Sequence, residues 1–113
     1  MSKRDEKLLL EDILDSIRKI YRYTEGLSFH DFLSDEKTTD AVIRNFEIIG
    51  EAVRQLPDIL KDNHPTIEWH KIAAVRNRVI HDYFGVDEAI IWSIIKSDLT
   101  PLQNEIDGIL EKL

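Results

Sequence analysis

The chain has 113 residues, 42% of them apolar and 33% charged, which is the composition of one folded domain with a core of its own. With no cysteine it can form no disulfide, thiolate metal site or thiol nucleophile, and a net charge of −7 argues against a general nucleic-acid binder. After MSKRDEK come only three consecutive leucines, too short a run for a signal peptide or a membrane span, so a cytoplasmic protein with no membrane partner is expected.

Every segment reads as helix. Residues 5–25 place Leu10, Ile13, Ile17, Ile20 and Thr24 at helical spacing, with Leu14 and Tyr21 alongside, and Gly26 ends the run. Ser28 to Ser34 predicts a short turn of helix carrying Phe29, Phe32 and Leu33. Asp35 or Thr38 caps the next helix, which extends to about Leu56 with Val42, Phe46, Ile49, Val53 and Leu56 in 4-3 spacing. Ile43, Ile48 and Ala52 widen its apolar surface beyond one stripe, the pattern of a helix packed on two neighbours. Gly50 would let one of them approach closely, and Arg44, Glu47, Glu51 and Arg54 form a polar stripe.

Pro57 and Pro65 bracket a connector, and a helix is expected from about Ile67. Asp87 is a suitable cap for a further helix from Glu88. Ile91, Ile95, Leu99, Leu102, Ile106, Ile109 and Leu113 then keep helical phase, interrupted by Pro101, so that one kinked helix or two helices in line satisfy the pattern. There is no internal repeat or low-complexity segment. The expected fold is all-α, a single antiparallel bundle of four or five helices over residues 1–113.

The stretch RNRVIHDY, Arg76 to Tyr83, carries chemistry. Arginine holds phosphate by a charged fork. Histidine gives and takes protons near neutral pH. At about 100° per residue, Trp69, Ile72, Arg76, Val79, Ile80 and Tyr83 share one stripe, so Arg76 falls among apolar neighbours where an unpaired charge is costly. Asn77, His81 and His70 share another face. On an ideal helix Arg76 and His81 are about 140° apart, so their convergence needs a helix break near His81, the reach of the arginine, or a second subunit. Residues 64–81 carry Lys71, Arg76 and Arg78 against Glu68, whereas residues 82–113 carry seven acids against Lys96 and Lys112. A small basic site on an acidic body suits a selective RNA enzyme and equally a protein that docks a basic partner. Taken singly, Arg76 could pair with a buried acid, His81 could cap a helix end and Tyr83 could be a core tyrosine.

The stretch resembles the RNxxxH signature of the HEPN superfamily, and more narrowly that of HepT-like toxins, in which arginine is followed after four residues by histidine, any residue and tyrosine. Arg76, Asn77, His81 and Tyr83 occupy those places. IIGEAV at Ile48 to Val53, HPTIEWHKI before the motif, DYFGVD, Ile91-Trp92 and Leu99 before Pro101 are similar to the same group, so the likeness covers most of residues 43–102. Glu68 departs from it, standing where a second proline is expected. The resemblance implies a metal-independent endoribonuclease, acting as a homodimer whose two motifs face each other. It also implies a partner, a minimal nucleotidyltransferase antitoxin that transfers AMP from ATP to the motif tyrosine, here Tyr83.

The residues themselves are compatible with that chemistry. The ribose 2′-hydroxyl would attack the adjacent phosphate, leaving a 2′,3′-cyclic phosphate and a 5′-hydroxyl. His81 would serve as general base or acid, with His81 of a second subunit in the other role. Arg76 would neutralise charge developing on phosphate, and Asn77 would orient the imidazole or bind a phosphate oxygen. Glu51 is a candidate to hold Arg76 in place. An AMP on Tyr83 would set a negative phosphate where RNA must bind. His30, His64 and His70 lack metal-ligand spacing, and no cofactor is expected. The alternative reading is a non-catalytic helical dimer serving a nucleotidyltransferase as its substrate-binding or adaptor subunit.

Overall fold

The first helix starts where Asp5 accepts a hydrogen bond from the backbone N–H of Lys7, 3.1 Å, satisfying a donor that the helix cannot. In this computed structural model, which describes residues 5–74 and 88–113, that helix, α1, spans Glu6–Thr24. Its apolar positions are the ones the spacing picks out: Leu10, Ile13, Ile17 and Ile20 are fully enclosed. Thr24 turns its hydroxyl back onto the Ile20 carbonyl, 2.8 Å. Gly26 then adopts a φ of 76°, left-handed backbone that a side chain disfavours, and the chain reverses.

The short helix α2, Phe29–Ser34, is closed by a reciprocal cap. Asp31 N–H donates to Ser28 Oγ and Ser28 N–H donates to the Asp31 carboxylate, both at 3.1 Å. Of the two expected caps for the next helix, Asp35 is used, its Oδ1 accepting from Thr38 N–H at 3.2 Å. The helix α3, Glu36–Gln55, follows. Buried Thr39 donates to the carbonyl of Phe32, 2.7 Å, and fixes the corner between the two. Along α3, Val42, Phe46, Ile49, Ala52 and Val53 are buried, with Leu56 just past its end, and Ile43 and Ile48 are half-buried. The wide apolar surface is divided between α1, against which α3 packs along its length, and α2.

The connector after Pro57 is partly regular. It holds a five-residue helix, α4, Asp58–Asp62. Pro57 sits just before it with φ −61° and ψ 143°, the extended backbone that suits a helix start, and Leu60 is buried beneath it. Lys61 donates to the Val53 carbonyl, 3.3 Å, at the cation-favouring C-terminal end of α3. Residues 69–74 are helical. Beyond them α5, Glu88–Ser97, buries Ile91, Ile94 and Ile95. It stacks Trp92 on Phe29 and Phe32 with ring centroids 6.0 and 5.1 Å apart, and the Lys96 ammonium lies 4.7 Å from the same indole.

Two helices, not one kinked helix, complete the chain. The break falls at Asp98, and α6, Leu99–Glu111, starts with Pro101 inside its first turn, where the missing N–H leaves nothing unpaired. Leu99, Leu102, Ile106 and Ile109 are buried against the rest of the bundle, and the Tyr21 and Thr100 hydroxyls meet at 2.6 Å to join α6 to α1. Leu113, expected in the same stripe, is exposed because the helix stops before it. Every regular element among the described residues is a helix, the all-α bundle that the periodicity predicts, and none of these helices is long and apolar enough to cross a membrane.

Candidate functional site

Arg76, Asn77, His81 and Tyr83, together with the expected cap Asp87, lie outside the described residues. The structure describes the segments on either side of them in the chain, namely the lead-in and the helix α5, and the face of α3 that carries Glu51.

The lead-in is fixed by an indole. Trp69 is buried, and its Nε1–H donates to two carbonyls at the end of α4, Lys61 at 3.2 Å and His64 at 3.1 Å. Ile67 is buried beside it, and its N–H donates to His64 O at 3.3 Å. The first helical backbone bond runs from Ile72 N–H to Glu68 O, 3.2 Å, so the helix begins a residue or two later than the apolar pattern suggests. Glu68 supplies that carbonyl, and its carboxylate lies 3.8 Å from Lys71.

Lys71 makes its shorter contact elsewhere. Its Nζ is 3.0 Å from Asp98 Oδ2, at the break between α5 and α6. Hydrogen bonding to Asp98, with the coulombic attraction of the same carboxylate next, raises the Lys71 pKa and keeps the ammonium charged. The positive charge that the sequence places at Lys71 is thus balanced by two acids in space. The neighbouring cleft is balanced too: Arg54, Lys61 and Lys71 line it against Asp58, Asp62 and Glu68. Arg76 and Arg78, which carry the rest of the basic character counted along the chain, are outside the described residues. His70 lines the same cleft and is exposed.

On α3 the polar stripe resolves into two pairs. Arg44 meets Glu47 at 3.5 Å, and Arg54 lies 4.0 Å from Glu51. Glu51 is half-buried, and its Oε1 also accepts from Gln55 Nε2 at 3.3 Å. Its expected partner, Arg76, is outside the described residues. Asp98 is the residue that sequence reasoning misses, since nothing along the chain connects it to Lys71. Among the described residues no group of three or more histidines and acids could hold a metal ion.

A profile of the family described as "Ribonuclease HepT-like" matches residues 13–109. The chain belongs to that family. The HepT-like match encloses the lead-in, the motif, α5 and most of α6. A protein of Thermococcus cleftensis named "Probable ribonuclease HepT" is 44% identical over 105 residues, 93% of this chain and 96% of its own length. One from Methanocaldococcus jannaschii named "Putative RNase" is 38% identical over 113 residues, 100% of this chain and 93% of its own. Another "Putative RNase", from Caldanaerobacter subterraneus subsp. tengcongensis, is 40% identical over 103 residues, 91% of this chain and 92% of its own. No solved structure gives a significant match.

Proposed function

We propose that this HepT-like chain is an endoribonuclease that cleaves RNA without a metal ion. The observation that carries the reading is the family match over residues 13–109, which encloses Arg76, Asn77 and His81 in the RNxxxH order. His81 takes or returns the proton of the 2′-hydroxyl and the leaving 5′-oxygen, and a homodimer supplies the second histidine. Arg76 stabilises charge on the phosphate, and Asn77 orients the imidazole or a phosphate oxygen. Glu51, on the half-buried face of α3, supports Arg76.

The same reading makes the protein a cytoplasmic toxin silenced by a cognate nucleotidyltransferase. AMP transferred to Tyr83 carries a negative phosphate into the space meant for the RNA backbone and competes for Arg76. The test is cleavage of single-stranded RNA by purified protein in EDTA. His81→Ala and Arg76→Ala are each expected to lose at least about a hundredfold in rate. Cleavage that requires magnesium, or that survives both substitutions, sinks the mechanism. Absence of cleavage by the wild-type protein favours the adaptor role.

A further inference from the structure

The helix that leads into the motif is gripped on two sides. Trp69 buries its ring and hands its indole N–H to the end of α4. Lys71 is two positions further, about 200° round the helix axis. It reaches away from Trp69 to Asp98, 3.0 Å off, at the α5–α6 break. A helix held on one side alone is free to roll about its axis, and a second contact on the opposite side removes that freedom.

Three details set this pair apart from an incidental surface contact. Asp98 occupies the N-cap position of α6, where an aspartate ordinarily accepts from the first-turn amides, yet it makes no such bond. Its backbone, φ −108° and ψ −27°, is not in the extended region typical of a cap, and its carboxylate is directed to Lys71 instead. Lys71 also has Glu68 on its own helix at 3.8 Å, but the shorter contact is the distant one. The pair spans the whole motif, joining the segment before Arg76 to the junction beyond Tyr83.

We propose that Lys71 and Asp98 are positioning residues for the candidate site, a clamp that sets the roll of the helix that leads into the motif. The proposal rests on the ribonuclease reading. The two side chains are 53% and 34% exposed, so as an ion pair they contribute little to global stability. Their consequence lies in geometry. Residues 69–74 lead directly into Arg76 in the chain, and a roll of that helix by about 10° carries a group about 6 Å from its axis by about 1 Å. Displacements of that size cost catalytic rate heavily, up to about a hundredfold.

The test uses the full chain with Lys71→Met, Asp98→Asn, Lys71→Arg and the swapped double variant Lys71→Asp with Asp98→Lys. Each of the first two is expected to lower kcat on a single-stranded RNA oligonucleotide about 5- to 20-fold, with KM held within about twofold. Their thermal midpoints are expected to stay within about 2 °C of wild type. Lys71→Arg and the swap are expected to return kcat to within about threefold of wild type. Backbone amide exchange of residues 72–74 is expected to quicken in the two neutralised variants and to return with the swap. Wild-type kcat in those variants, losses that track a fall in thermal midpoint, or a swap that recovers nothing would each overturn the clamp. If the wild-type protein cuts no RNA, the ribonuclease reading fails and amide exchange decides alone: unchanged exchange refutes the clamp, and faster exchange that the swap reverses upholds it.

Discussion

The α1–α3 pair and the segment leading into the motif are held by different physics. Between α1 and α3 the contact is volume: Ile13, Ile17, Val42 and Ile49 are enclosed almost completely, and no single bond decides how the helices meet. The segment 66–74 is held by direction: one indole N–H, one ammonium and two carboxylates aim it. Packed volume tolerates small adjustments but not voids. Directional contacts are weak in energy and exact in geometry. The bundle is therefore expected to respond to substitution through stability, and the lead-in through the placement of the motif residues it carries.

The largest expected effect probes the packed half. Ile17→Ala removes three carbons from a fully enclosed site and is expected to lower unfolding free energy by about 2–5 kcal/mol in a denaturant titration. A loss below about 1 kcal/mol would show that the α1–α3 seam can collapse around the gap, erasing the contrast. Trp69→Phe probes the other half. It keeps an aromatic ring at the site, a smaller one, and deletes the donor to Lys61 O and His64 O, at an expected cost of about 1–2 kcal/mol by the same measurement. If it costs as much as Ile17→Ala, the indole acts as bulk and the lead-in belongs with the core.

Smaller effects come from the caps. Asp31 and Asp35 accept hydrogen bonds from Ser28 and Thr38, which hold both carboxyls below their ordinary pKa of 3.8. A depressed folded-state pKa contributes stability that is present above the unfolded value and lost as pH falls through the folded one. Asp35→Asn is therefore expected to flatten the fall in thermal midpoint below about pH 4 while changing little at pH 7. An unchanged acid limb would show that Asp35 plays no part in closing α3.

The smallest effect concerns a polar atom inside the packed half. Buried Asn45 donates to the Ala41 carbonyl at 2.9 Å, but its Oδ1 has no partner among the described residues. Asn45→Leu, of the same branched shape with methyl groups in place of the amide atoms, is expected to leave stability equal or raise it by up to about 1 kcal/mol, since an orphaned acceptor disappears. A clear loss would mean that this seam, too, relies on a directional contact.

The helices are legible in the sequence because burial writes a period into the chain. Leu10, Ile13, Ile17 and Ile20 repeat at the spacing of a helix face, and those side chains are enclosed. Gly26 and Asp35 mark their boundaries by backbone chemistry that acts within a few residues. The short α4 is not legible, because five residues are too few to show a period and Pro57 reads as a break. Pro101 suggests a kink for the same reason, although proline fits the first turn of a new helix and the break lies at Asp98. Of the candidate site, residue types and order are legible. The pairing of Lys71 with Asp98 is not, because a contact between charges far apart in sequence leaves no local pattern.

The hydroxyl contact between Tyr21 and Thr100 bridges positions 79 apart. On a ribosome α1 emerges before α3 and meets it after the short α2, but its α6-facing side has to wait for α6, far later in the chain. Closing so long a loop carries a larger entropy cost than α1–α3 pairing does. The nascent chain is therefore expected to pass through an intermediate in which the helical hairpin is formed and one apolar flank stays wet. That flank is where a chaperone would bind and where truncated products would aggregate.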